Sequence, residues 1–201
     1  MRRRAADRLK KRPAQSAGEK VAATMTQWAL NDWRERPAGT NIVPPLAALA
    51  NQLGAPAWMV SMRFPWCSFG VFTAALEHNA VCGRTGIREN VWNALYTPTV
   101  QAMARESRYG LRVVPTKSIV RGTGLLFDFD GGGVDHVGVA LGKPGQVVTV
   151  GSAKYRPKRS EVVTVEANTS REGETGSQSD GGCVAIRIRR VSLVETAFSM
   201  S

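Results

Sequence analysis

The sequence predicts an α+β fold in which N-terminal helices pack on an antiparallel β-sheet built from the C-terminal half. Two observations carry this. Apolar residues recur at helical spacing as far as Met103, and from Leu125 onward they fall into short β-branched or alternating runs separated by glycine-rich turns. The chain has 201 residues, 43% of them hydrophobic, enough for one domain with a full core and too few for two ordinary ones.

The first expected helix carries Val21, Met25 and Trp28 on one stripe and stops ahead of Pro37-Ala38-Gly39, since the residue before a proline disfavours the helical region. A second follows Pro44-Pro45, which suit a first turn; Leu46, Leu49 and Leu53 form its stripe and Gly54 supplies a left-handed stop. A third begins near Cys67, with Val71, Phe72, Ala75 and Leu76 facing a core. A fourth follows Thr97-Pro98, with Val100 and Met103 inward. Strands are expected at Leu125-Leu126-Phe127, Val137 to Leu141, Val147 to Val150, Val162 to Val165 and Val184 to Ile188. Ser170 to Gly182 reads as a Gly/Ser-rich loop with too few apolar residues to pack, and no internal repeat is present.

The net charge of +11 is uneven, because residues 1–20 hold eight Lys/Arg against two Asp/Glu. These residues are expected to form a basic arm ahead of one domain over 21–201. No apolar stretch follows the positive start, so the segment does not read as a secretory signal, and nothing later is long enough to cross a bilayer. The expectation is cytoplasmic synthesis. Basic runs attract polyanions such as nucleic acid, anionic lipid or phosphate-bearing wall polymers, and a flexible solubilising end is the plainer alternative. The chain shows no nucleic-acid-binding motif, so no specific nucleic acid is expected.

Cys67, Cys82 and Cys183 are an odd set without disulfide-like spacing, as in a reducing compartment. A Cys82–Cys183 bridge stays open. So does zinc, since His78 and Cys82 would share a helix face if that helix continued, although two more ligands would be needed.

Pro65-Trp66-Cys67-Ser68-Phe69 is the most informative stretch. A cysteine that follows a helix breaker and opens an apolar helix has its thiolate stabilised by unpaired amides, which can also hold an oxyanion. The alternative is a small buried apolar residue, the common fate of free cysteines. Of the two histidines, His78 lies eleven residues along the same helix, about 16 Å of rise, so His136 remains as the base. In Asp135-His136-Val137-Gly138-Val139-Ala140, alternation sends the valines to the core and His136, Gly138 and Ala140 to the other face, where small neighbours leave room for substrate. Asp135 points the other way. In Val162 to Asn168, Glu166 and Asn168 share a face, and either could hold the imidazole tautomer; solvated residues at a strand end are the alternative. Asp128, Asp130 and Asp135 around Gly131-Gly132-Gly133 suggest a calcium loop, yet Gly132 and Val139 stand where an EF-hand needs ligands, so a tight turn and no metal cofactor are expected.

These residues resemble the CHAP domains (cysteine, histidine-dependent amidohydrolase/peptidase), particularly those of phage lysins that degrade bacterial peptidoglycan. The likeness runs from about Arg34 to Arg190. It includes Arg34-Glu35-Arg36-Pro37-Ala38-Gly39-Thr40-Asn41, Pro65-Trp66-Cys67, Phe127-Asp128-Phe129-Asp130-Gly131 with Asp135-His136-Val137-Gly138, and Val165-Glu166-Ala167-Asn168-Thr169-Ser170 with Gly176-Ser177-Gln178-Ser179-Asp180-Gly181-Gly182. The resemblance implies a papain-like fold in which Cys67 attacks an amide carbonyl, His136 shuttles the proton, and Glu166 and Asn168 polarise the histidine. It also implies a monomer acting at the bacterial cell wall, as an N-acetylmuramoyl-L-alanine amidase or an endopeptidase. Trp66 is expected to touch substrate. Lys154, Tyr155 and Arg156, in a connection longer than the family usually has, are expected to grip anionic wall polymer near the site. The competing expectation is a non-catalytic phage structural or wall-binding module that keeps the fold.

Overall fold

A capping box starts the chain's first helix. Ser16 Oγ accepts from the Glu19 amide at 3.2 Å while the Glu19 carboxylate accepts from the Ser16 amide at 2.7 Å. The computed structural model describes residues 14–61, 64–79, 92, 96–171, 174, 177 and 181–201. Helix α1 (Ala17–Leu30) buries Val21, Ala22, Met25 and Trp28, and it absorbs residues 17–20, which the sequence assigned to the arm. Most of the arm lies outside the described residues. Helix α2 (Pro44–Gln52) follows its two prolines and ends ahead of Gly54 at φ +86°. A short α3 (Ala57–Ser61) was not expected; α4 (Cys67–Glu77) and α5 (Thr97–Arg105) were.

Among the described residues, eight strands follow: β1 (Leu111–Val114), β2 (Gly124–Phe127), β3 (His136–Ala140), β4 (Val148–Val150), β5 (Ala153–Tyr155), β6 (Glu161–Thr169), β7 (Cys183–Arg190) and β8 (Val194–Met200). Six form an antiparallel sheet in the order β1-β8-β2-β3-β6-β7, and β4 and β5 make a separate hairpin. The alternation on β3 and β6 sends Val137, Val139, Val163 and Val165 into the main core against Met25, Phe72 and Leu76 of α1 and α4. The opposite face is buried as well, by a smaller cluster of Ile119, Leu125, Phe127, Ala140, Val162, Val194 and Ala197. Both faces of β3 are therefore dry, and the space expected for substrate beside Gly138 is interior. Among the described residues, no helix is long and apolar enough to cross a membrane.

Candidate active site

Cys67 is the first residue of α4, and no side chain caps this helix end, so its first amides stay available to a nearby anion. Two contacts set the position of that end. Trp66, just before it, is 2% exposed and donates its indole Nε1 to Glu35 Oε1 at 3.0 Å. One turn into the helix, a Cβ on Gly70 would lie 2.5 Å from Cβ of Ala167, so α4 rides directly on β6. Trp66, expected to touch substrate, is instead a buried brace beneath the thiol.

His136 opens β3, and Glu166 stands on β6 opposite Gly138. Both are fully buried, and His136 Nε2 lies 3.0 Å from Glu166 Oε2. The pair meets because residue 138 has no side chain: a Cβ there would lie 2.7 Å from Cγ of Glu166. The room left by Gly138 is thus filled by glutamate. Glu166 also receives Thr164 Oγ1 at 2.5 Å and two nitrogens of buried Arg189, Nε at 2.8 Å and Nη2 at 2.5 Å. An ionised carboxylate only accepts, so His136 Nε2 carries the hydrogen. Nδ1 is left buried, with no hydrogen-bond partner among the described residues, and the Cys67 thiol, like Glu166, is a neighbouring group whose charge couples to the ring. Phe129 and Phe127 cover the imidazole at centroid distances of 5.7 and 6.2 Å.

Burial alone would raise the Cys67 thiol, but the His136 hydrogen bond and charge, with the amide and hydroxyl of Ser68, hold it below the ordinary thiol value. Burial would lower His136, yet the thiol and Glu166 raise it to about 9. Burial would raise Glu166, yet Arg189 and His136 bring it down to about 2. The opposed shifts on sulfur and imidazole favour the proton on the ring, which is the thiolate–imidazolium form of a cysteine nucleophile.

Cys67 alone of this set reaches a groove, of about 630 Å³. Trp58, Phe64, Trp92, Tyr96 and Pro98 line it together with Asp130, Gly132, Gly133 and Asp135. Trp58 is 51% and Tyr96 73% exposed at this groove.

The remaining expected site residues fall elsewhere. Asn168 is buried on β6 but takes a left-handed φ of +55° where the β6–β7 register shifts, so the simple alternation that placed it beside Glu166 breaks there. Lys154, Tyr155 and Arg156 do not border the Cys67 groove. The β4–β5 hairpin follows the far end of β3, and Tyr155 lines a different groove with Leu30, Val184 and Ile186. Asp128 accepts from the amides of Gly131 and Gly133, and Asp130 from that of Gly132, which makes their loop a tight turn. No group of three His, Cys, Asp or Glu suited to a metal ion occurs among the described residues. His78 Nε2 pairs with Thr24 Oγ1 at 2.7 Å, and Cys183 is a free buried thiol that donates to the Thr169 carbonyl at 2.9 Å. Cys82, on which the open alternatives of a bridge and of zinc both depend, lies outside the described residues. Arg189 and Thr164 were not anticipated; β7 carries arginines at both 187 and 189, and nothing in the local pattern singles out Arg189 as the buried partner of Glu166.

Fold and site together define an α+β protein with Cys67 on a groove and a buried His136–Glu166 pair in its neighbourhood. In comparisons with protein-family models, curated proteins and solved structures, nothing matches this chain.

Proposed function

We propose that this chain is a CHAP-type cysteine amidohydrolase that cleaves an amide bond of bacterial peptidoglycan, either between muramic acid and L-alanine or within the peptide. The observation that carries the reading is a thiol at a helix N-terminus, on a groove floor, beside a histidine whose far nitrogen is held by a buried carboxylate. The Cys67 thiolate attacks the amide carbonyl carbon, and the oxyanion is stabilised by the free amides at the start of α4. The imidazolium of His136 gives its Nδ1 proton to the departing amine, which leaves an acyl-thioester. His136, now neutral, takes a proton from water as that water attacks the thioester; the carboxylic acid leaves and the thiolate–imidazolium pair is restored. Glu166 keeps the ring in one tautomer throughout.

The exposed Tyr96 in the groove lining suits the apolar faces of sugar and peptide, and the basic hairpin, away from the groove, suits the anionic polymers of the wall rather than the scissile bond. The test is turbidity loss of purified peptidoglycan, with mass analysis of the released fragments to name the bond. Folded Cys67→Ala and His136→Ala proteins are expected to be inert, and either one still lysing walls refutes the reading. Iodoacetamide should inactivate the enzyme, to which a wall-binding module would be indifferent.

A further inference from the structure

Arg189 stands on β7, 5% exposed, one strand beyond Glu166. Its Nε and Nη2 reach the two carboxylate oxygens at 2.8 and 2.5 Å, and Nη2 also lies 3.3 Å from Thr169 Oγ1. Its guanidinium carbon lies 4.8 Å from the Phe129 centroid and 5.9 Å from that of Phe127. The same Phe129 covers His136. A two-point fork of this kind sets the orientation of a carboxylate as well as its charge. A buried carboxyl without a cation becomes neutral, and its O–H then competes as a donor with the imidazole N–H.

We propose that Arg189 is a positioning residue of the thiol site: its fork holds Glu166 as the acceptor that fixes His136 Nε2–H, and thereby keeps Nδ1 available to Cys67. The assignment rests on Cys67 and His136 as the working pair and not on the identity of the substrate. The other charged groups around the pair are few. Cys67 comes from α4, and Asp135, whose charge acts on His136, comes from the residue before β3. Arg187, from β7, is spent on the Ser170 carbonyl at 2.6 Å.

The test uses the full chain with Arg189→Met, which removes the charge at similar length, and Arg189→Lys, which keeps the charge but loses the fork. The rate of iodoacetamide alkylation is measured from pH 4 to 9 at the Cys67 peptide by mass spectrometry, so that other thiols do not contribute, with circular dichroism and thermal unfolding as controls of folding. The wild-type rate is expected to persist into the acid range. The Arg189→Met rate should fall with pH as for an ordinary thiol, at least about tenfold below wild type at pH 6, which is a shift of about one unit. Arg189→Lys should lie between them. On peptidoglycan, kcat should fall while KM stays within about twofold. A folded Arg189→Met protein with the wild-type alkylation profile overturns the proposal. If that variant does not fold, Arg189→Lys decides: an unchanged profile overturns it, and a displaced one supports it. A wild-type protein that shows the acid-range thiolate but is inert on peptidoglycan removes the proposed substrate and leaves this assignment standing.

Discussion

A methyl group at position 138 would sit 2.7 Å from Cγ of Glu166, closer than side-chain carbons approach, so Gly138→Ala has to displace the carboxylate that holds His136. Overpacking of this sort costs about 1–3 kcal/mol. The expected outcome is a folded protein, destabilised by that amount in urea titration, with at least tenfold lower turnover. Unaltered turnover would separate Glu166 from function. Glu166→Gln should be harsher, because it strands a buried guanidinium, a change that typically costs about 3–5 kcal/mol. Its effect depends on pH with a definite sign. Glu166 is held down to about 2 against an ordinary 4.5, so its stabilisation is complete above pH 4.5 and is lost as the pH falls toward 2. The gap in Tm between wild type and Glu166→Gln should therefore narrow between pH 5 and 2; a constant gap contradicts the ion pair. Cys67, His136 and Glu166 were legible in sequence because a helix breaker, elimination of the second histidine and strand alternation each point to one residue. Arg189 was not, since its partner is chosen by cross-strand packing that no local pattern records, and Asn168 was misplaced because a left-handed residue interrupts the alternation.

At the level of elements, the site depends on how closely α4 approaches β6. Gly70 and Ala167 set that distance, and a Cβ on Gly70 would come within 2.5 Å of the alanine methyl. Gly70→Ala should thus lower stability by about 1–3 kcal/mol, despite alanine's better helix propensity. Adding Ala167→Gly should recover most of the loss, because the swapped pair restores the contact. Failure of the double variant to recover, read by chemical denaturation, would show that the spacing is set elsewhere. The four longer helices and the strands β2, β3, β4, β6 and β7 were readable from apolar periodicity. β8 was missed: Val194-Glu195-Thr196-Ala197-Phe198-Ser199-Met200 has few β-branched residues, and its pairing with β1 and β2 makes it a strand. β1 and β5 are largely exposed and carry Arg112 and Lys154 among few apolar residues, so no apolar run marks them.

Across the whole molecule, one cluster of exposed cations, Lys143, Lys154, Arg156, Lys158, Arg159 and Arg190, lies around the hairpin and the chain segments beside it, whereas Asp130 and Asp135 border the groove. Only the outward side of the hairpin is basic, since Val148 and Val150 are buried in the core and Tyr155 packs against it. Reversing the charge of Lys154, Arg156 and Lys158 together should weaken binding to intact walls at low salt and flatten its dependence on ionic strength. Co-sedimentation with walls from 20 to 500 mM NaCl measures this, and an unchanged salt curve would remove the hairpin from wall contact.

The strand β8 lies between β1 and β2, with Phe198 packed over Gly124. A nascent polypeptide therefore holds β2-β3-β6-β7 with β2 as an additional open edge opposite β7, and β1 with no sheet partner, until residue 200 has left the ribosome. Translation must run through Met200 before the sheet closes, and a chain stalled short of it would present an unpaired border to chaperones and to other copies of itself.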